Sequence, residues 1–289
     1  MRTNSSGAGT LTGEGRFNWQ RTFLLGFGFL GVSVIWSLYN AYVPIFLQER
    51  FGLSATATGW VMTIDNVLAI VLLPFIGALS DRTRTRLGRR RPYILVGSVV
   101  ATALFLLVPG AVTRGVLWVL MGTIILLNLS MALFRSPVIA LMPDITPPRF
   151  RSQANGIINF MGGVGSLLAF FGGGMLYDRA LALPFVVGGL VMLGACLLVV
   201  VFIREPAVVE PAGKKGGSAQ PLSLAASAKE LVANLDDVIK GEKSLLFILL
   251  AIFCWFVGYN AVETFFTSYA KFHLGIKESV GALILGFFS

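Results

Sequence analysis

Three ionisable side chains, Asp65, Arg135 and Glu263, lie well inside apolar stretches of this sequence. A charge near the centre of a bilayer costs about 2.5–3.5 kcal/mol on insertion scales, and such residues commonly mark an ion or substrate pathway. Arg135 offers a planar fork of donors for hydroxyl groups or for a carboxylate. Either carboxyl could carry a proton, because a desolvated carboxyl takes up a proton readily and one close to an arginine releases it. The alternative is an internal ion pair that only stabilises a helix bundle.

Polar side chains accompany these charges at helical spacing or at neighbouring positions. Asn128 lies seven residues before Arg135, which puts both on one helical face. A second polar face includes Gly162 and Ser166, and it either lines a cavity or lets two helices pack closely. The candidate substrate-binding residues are Arg135, Asn128, Tyr39, Asn40, Asn66, Asn155, Asn159, Tyr259 and Asn260.

The elements that position these residues are apolar helices. The chain is 55% hydrophobic and only 13% charged, whereas a soluble domain carries about a quarter charged residues. A membrane-spanning helix needs about 20 apolar residues. Apolar runs of that length cover roughly 22–47, 55–80, 92–110, 115–143, 148–176, 181–203 and 244–270. An eighth begins near Val280 and is still apolar at Ser289, so we expect the chain to end within span 8. The fold class is therefore an all-α polytopic membrane protein.

The basic residues predict the orientation of these spans. Of the 23 lysines and arginines, 17 lie in the alternate segments 1–21, 81–92, 143–152 and 204–243. By the positive-inside rule these segments and the N-terminus are cytoplasmic. The net charge of +9 does not indicate nucleic-acid binding, because no basic patch is interleaved with base-stacking aromatic residues.

A short internal repeat predicts the domain organisation. The run Tyr39-Asn40-Ala41 recurs as Tyr259-Asn260-Ala261, an offset of 220 residues. That offset fits one six-span half with its trailing loop, and parallel repeats of this size occur in membrane transporters. The predicted units are a cytoplasmic tail (1–21), a six-span half (22–203), a cytoplasmic linker (204–243) and the start of a second half (244–289). Apolar residues at helical spacing from Leu231 to Ile239 predict an amphipathic helix in the linker, and the alternative is a flexible linker.

The loop between the second and third spans carries the most specific motif. It resembles the G-x-x-x-D-R…G-R-R loop of the major facilitator superfamily, and its longer form is similar to the sucrose-transporter and glycoside–pentoside–hexuronide branches. This resemblance implies a major-facilitator-type helix bundle with about twelve spans. It also implies that the loop acts as a gate, with Asp144 as a partner for Arg89 or Arg90; the alternative is a signal for topology alone. The residues involved are Gly77, Asp81, Arg82, Gly88, Arg89, Arg90 and Asp144.

The function that the resemblance implies is symport of a sugar and a proton by alternating access. The segment around Arg135 resembles the span-4 arginine region of sucrose-type transporters, which implies that Arg135 faces a cavity. The sugar would be a sucrose- or maltose-like di- or oligosaccharide. Sodium-coupled relatives carry two aspartates one turn apart in span 2, where this chain has Ala69 and Leu73, and this departure favours a proton. The alternatives are a sodium-coupled glycoside or hexuronide symporter and a transporter-like assembly factor or sensor.

The sequence lacks suitable residues for a disulfide, a metal site or a catalytic site. Cys196 and Cys254 lie inside apolar spans and His273 is the single histidine, so neither a disulfide nor a metal site is predicted. The spacing of residues indicates no nucleophile–base pair and no phosphate loop, so we expect no enzyme activity and no cofactor. The expected partners are the sugar, the proton and the lipid bilayer. We expect a monomer in the plasma (inner) membrane.

Overall fold

The computed structural model of the chain describes residues 17–205, 233, 241 and 243–288. Its regular elements are helices, and in the described part seven helical segments are long and apolar enough to cross a membrane. The sequence-based prediction of an all-α polytopic fold is therefore confirmed. The amphipathic helix predicted in the linker lies outside the described residues.

The bounds of the helices agree with the predicted spans to within a few residues at most ends. The π-helical turn Leu168–Gly172 joins α5 and α6 into one span, Pro148–Tyr177. The helices are α1 (Trp19–Glu49), α2 (Ala55–Arg82), α3 (Arg91–Arg114), α4 (Leu117–Ile145), α5 (Arg151–Leu167), α6 (Gly173–Tyr177), α7 (Leu183–Phe202), α8 (Lys243–Phe272) and α9 (Glu278–Phe288).

Local capping explains several of these bounds. The side chain of Asn18 accepts a hydrogen bond from the backbone N–H of Arg21 at 2.9 Å, and Ser54 caps α2 in the same way. Both residues satisfy a backbone donor that the first turn of a helix leaves free. At the end of α3, Gly115 has a φ of +68°, a left-handed conformation that terminates the helix and suits glycine.

Helix α1 is the centre of the bundle. It packs against α5 and α7, while α3 packs against α4 and α7, and α2 against α4. Helix α8 contacts α1, and α9 packs on α8 and α6. We call the end that carries residues 83–90, between α2 and α3, the arginine-loop end. The other end, where α1 and α8 finish, is the opposite end.

Close contact between α1 and α5 depends on a glycine. A Cβ atom at Gly165 would lie 2.5 Å from the backbone oxygen of Leu30, which is closer than a non-bonded carbon and oxygen can approach. In a membrane, helices associate through such close packing, because lipid chains are as apolar as the side chains. The position of α5, and of every polar residue that it carries, therefore depends on the absence of a side chain at Gly165.

We expect Gly165→Ala to destabilise the protein by about 1–3 kcal/mol, the usual cost of forcing extra atoms into a packed interior. The matched control is Gly156→Ala, also on α5, where an added Cβ meets nothing within 4 Å. Thermal unfolding of the two variants in one detergent provides the measurement. Equal melting temperatures for both would show that the α1–α5 contact does not limit stability.

Candidate functional site

A cavity of about 1180 Å³ lies between α8 and the helices α1, α2, α4 and α5. Small-molecule sites commonly occupy about 300–1,000 Å³, so this cavity has room for a disaccharide-sized ligand with water. It gathers most of the polar residues that the sequence singled out from five separate helices. These are Asn40, Asn66, Arg135, Asn159, Tyr259, Asn260 and Glu263.

Arg135 enters the cavity from α4, which stays helical through Pro137 and Pro143. Its guanidinium carbon lies 5.8 Å from the ring centroid of Trp36 on α1. A cation at this distance from an indole face is attracted by the ring's quadrupole, more strongly where water is excluded. Sequence reasoning missed Trp36, although it stands four residues before Asn40 and so shares its face of α1.

Glu263 enters the same cavity from α8, at the wall that faces α1. Its carboxyl group interacts with the side chain of Asn40 on α1. The first copy of the sequence repeat therefore lies beside the helix that carries the second: Asn40 belongs to the first copy, and Glu263 lies one turn beyond Tyr259 and Asn260 of the second. This contact joins α1 to α8 inside the cavity, and a ligand with hydroxyl groups could compete for it.

Aromatic rings cover the α8 side of the cavity. Trp255 and Tyr259 stack with their centroids 5.3 Å apart, and Tyr259 stacks in turn on Phe288 at 5.6 Å. Flat apolar rings beside hydrogen-bonding groups form a surface that suits a ligand with both apolar C–H faces and hydroxyl edges.

The small and polar residues of α5 either line the cavity or pack against α1. Asn159, Gly162 and Ser166 line the cavity, and the Ser166 hydroxyl hydrogen-bonds that of Ser37 on α1 at 3.0 Å. Gly165 makes the close contact with α1 instead. The sequence left cavity lining and helix packing as alternatives for this face, and the structure assigns them to adjacent positions.

The cavity does not include Tyr39, Asn128 or Asn155. Tyr39 is 1% exposed and packs edge-on against Trp36, because a helix directs consecutive residues about 100° apart and Asn40 takes the cavity side. Asn128 is 5% exposed. The cavity follows α4 only along the turns around Arg135, and at Asn128, two turns before Arg135, neighbouring helices cover this face of α4. Asn155 is exposed at the start of α5, one turn before the cavity begins.

The carboxyl of Asp65 cannot be compared with these positions. Its backbone belongs to α2, but its side chain lies outside the part of the chain that the structure describes. The next residue, Asn66, lines the cavity. Asp65 therefore remains a prediction from the sequence.

A cluster of ion pairs lies at the arginine-loop end. Arg90 is 5% exposed and donates to Asp144 at 2.5 Å, to Asp81 at 2.7 Å and to the Ser80 hydroxyl at 3.0 Å. Arg89 pairs with Asp144 at 2.9 Å. Asp144 thus contacts both arginines that the sequence offered as its partners. The cluster ties the α2 end, the loop and the α4 end together, whereas Arg82 is exposed on the outside.

Glu205 completes this cluster and was missed by the sequence analysis. Its carboxylate accepts hydrogen bonds from the backbone N–H groups of Arg89, Arg90 and Arg91 at 2.9, 2.9 and 3.0 Å. It therefore caps the N-terminus of α3, where free donors and the helix dipole favour a negative charge. An acidic residue directly after an apolar span, surrounded by arginines, is the signal that could have identified it.

Gly88 makes this cap possible. Its φ is +111°, and a Cβ atom there would lie 2.7 Å from a carboxylate oxygen of Glu205. A residue with a side chain would be strained in this conformation and would also displace the carboxylate. The glycine of the motif therefore serves the loop conformation and not a ligand. Gly77 lets α2 approach α4, since an added Cβ would lie 3.3 Å from the Ser136 hydroxyl.

The opposite end of the bundle has its own ion pairs. The Lys271 ammonium on α8 contacts the carboxylates of Glu49 on α1 and Glu278 on α9. The side chain of Gln48 donates to the Ser268 hydroxyl at 2.7 Å. These contacts hold α1, α8 and α9 together beyond the cavity. Among the described residues, no group of three or more His, Cys, Asp and Glu side chains is arranged to hold a metal ion.

Comparisons with known proteins agree with this architecture. The chain is 28% identical over 170 residues to the isoprimeverose transporter of Lactiplantibacillus pentosus, and 32% identical over 162 residues to the human proton-associated sugar transporter A. These stretches cover 54% and 52% of this chain but only 35% and 21% of the relatives. The crystal structure of a D-xylose–proton symporter matches with a TM-score of 0.58 at 16% identity, covering 93% of this chain and 65% of that one.

The sequence also matches the profile of the Major Facilitator Superfamily over residues 25–289. This match includes most of α1, all of α2 to α9 and the whole cavity, and it extends over far more than half of the 289 residues. In the described ranges, the helices that could cross a membrane lie wholly or mostly inside this match. The chain therefore belongs to the Major Facilitator Superfamily and is an integral membrane protein.

Proposed function

We propose that this protein is a symporter that carries a sugar together with a proton by alternating access. The observation that carries the proposal is the cavity, in which Arg135, Glu263 and several amide side chains from different helices face one space of about 1180 Å³. Relatives named as sugar transporters support the substrate class. Intramembrane charges support transport over a scaffold role, because a scaffold has no need to hold charges at that depth.

The proposed roles follow from chemistry. Arg135 binds sugar hydroxyls or a carboxylate with its fork of donors. Asn40, Asn66, Asn159 and Asn260 offer amide donors and acceptors to the same hydroxyls. Tyr39, Asn128 and Asn155 would reach a ligand only if the helices move.

The loop cluster is proposed to act as the gate on the cytoplasmic side. Charge-assisted hydrogen bonds of the kind that Arg90 makes to Asp81 and Asp144 are strong when partly buried, yet they can break and re-form as a unit when helix ends separate. The N-terminal tail then lies in the cytoplasm, and the protein acts as a monomer in the plasma membrane. The six-span half, the linker and the start of the second half are proposed as the units that move.

Uptake of labelled sucrose and maltose by the intact protein tests the proposal. Proteoliposomes are prepared with an inward proton gradient, with a matched sodium gradient or with neither. Accumulation of sugar above its external concentration only under the proton gradient is the expected result. Accumulation under the sodium gradient alone would identify a sodium symporter, and no uptake of any sugar probe would contradict the proposal.

We expect Arg135→Lys to reduce sugar uptake roughly tenfold or more, because lysine keeps the charge but loses the planar fork of donors. Arg114→Lys, an exposed arginine at the end of α3, is the matched control and should transport normally. Uptake is compared at equal protein content in the membrane. Similar rates for the two variants would exclude a role of Arg135 in substrate binding.

The proton is proposed to bind Asp65, while Glu263 contributes to substrate gating through its contact with Asn40. We expect Asp65→Asn, a neutral mimic of the protonated acid, to lose uphill accumulation but to keep downhill exchange of sugar. Glu263→Gln is the comparison. If Glu263→Gln loses accumulation and Asp65→Asn retains it, the assignment of the two carboxyls is reversed.

We expect Asp81→Ala to lower the maximum rate of transport and to leave the apparent affinity for sugar within about twofold, because it removes a partner of Arg90 and does not touch the cavity. Asp178→Ala, an exposed acid at the opposite end, is the control. Initial rates over a range of sugar concentrations separate the two parameters. A weakened affinity at an unchanged maximum rate would point to direct contact with the sugar.

A further inference from the structure

A second concave surface lies at the arginine-loop end, away from the cavity. This basic groove has a volume of about 480 Å³ and lies between the α2–α3 loop and the end of α7. Half of its ten lining residues are arginines. They are Arg84, Arg86, Arg89, Arg91 and Arg204, with Thr83, Thr85, Leu87, Gly88 and Glu205.

The positive charge of the basic groove is only partly compensated. Its one acid, Glu205, is occupied by the backbone donors at the start of α3, and Arg89 is paired with Asp144. Arg91 donates to the backbone oxygens of Val200 and Leu87, which carry no net charge. Hydrogen bonds to carbonyls orient a guanidinium without neutralising it. The groove therefore presents several ordered cations around one space.

Two arginines of the groove are available to a ligand. Within the described ranges, the guanidinium groups of Arg86 and Arg204 make no hydrogen bond or ion pair, and both side chains are exposed. Arg204 is fixed at its backbone, since its carbonyl oxygen accepts a hydrogen bond from Arg21. A positioned backbone with an unengaged guanidinium suits planar, bidentate recognition of a phosphate group.

The depth of the basic groove indicates where that phosphate comes from. Helix α7 has 20 residues, which corresponds to about 30 Å and so to the thickness of the hydrocarbon core. The groove begins directly beyond its last residue, at the depth of lipid headgroups. Beside it Val201 and Phe202 are 61% and 60% exposed, and Leu87 is 45% exposed. These side chains offer an apolar surface to acyl chains, which free phosphate would not use.

We propose that the basic groove binds the phosphate group of an anionic phospholipid, with the acyl chains lying along the exposed end of α7. Arg86 and Arg204 contact the phosphate, and Arg84 and Arg91 supply the surrounding positive potential. This site is separate from the sugar cavity and does not depend on the proposed transport activity.

Binding of dioctanoyl phosphatidylglycerol to the purified protein in an uncharged detergent tests the proposal, with native mass spectrometry as the readout. We expect Arg86→Gln/Arg204→Gln to weaken the dissociation constant roughly 30-fold, or about fivefold for each arginine near an anionic surface. The control Arg114→Gln/Arg179→Gln removes two exposed arginines outside the basic groove, with the same loss of charge. It should change the dissociation constant less than about twofold.

Three results would overturn the proposal. Equal weakening in both double variants would mean that net charge alone attracts the lipid. Binding of dioctanoyl phosphatidylcholine with the same affinity would show no preference for an anionic headgroup. Displacement of the lipid by inorganic phosphate at equal concentration would show a site for free phosphate. If the double variant does not fold, Arg86→Gln alone should still weaken binding about fivefold.

Discussion

The hydrocarbon core of a bilayer can neither solvate a charge nor hydrogen-bond a free backbone group, and this constraint governs the whole molecule. Every span is helical because the backbone must satisfy itself. Ionisable side chains inside the spans are few, and the two described ones, Arg135 and Glu263, both face the central cavity. On α1, Trp36 lies beside Arg135 and Asn40 lies beside Glu263. The central helix of the bundle therefore supplies a neighbour to each of the two charges.

At the two ends of the bundle, ion pairs hold the helices together where water competes for hydrogen bonds. At the arginine-loop end, Arg90 is nearly inaccessible and joins three side chains from two helices. Glu205 caps α3 from the end of α7. At the opposite end, Lys271 pairs with acids of α1 and α9, and Gln48 of α1 hydrogen-bonds Ser268 of α8. Both clusters cross between helices, so each can open only by breaking several charge-assisted hydrogen bonds together. The proposed alternating access would need ends that open in this way.

Glycines decide how close the helices lie and therefore where the polar residues meet. Gly165 allows α5 to touch the backbone of α1, which brings Ser166 within hydrogen-bonding distance of Ser37. Gly88 adopts a left-handed conformation that lets a carboxylate approach the start of α3. In both places the useful feature is the missing side chain, and its effect appears only when a second element is close. A motif glycine in the loop and a packing glycine in the membrane thus act through the same physical principle.

The sequence by itself determined the helical class and the approximate bounds of the seven spans in the described part of the chain, and it singled out Arg135 and Glu263 as charges inside spans. These properties follow from local composition, because about 20 apolar residues in a row have no alternative to a membrane helix. Only the tertiary structure decided which members of a polar face meet. In the folded bundle Asn40 lies beside Glu263, whereas Tyr39 and Asn128 are buried away from the cavity. Helical spacing defines a direction around one axis, whereas the neighbours in that direction depend on how the other helices pack.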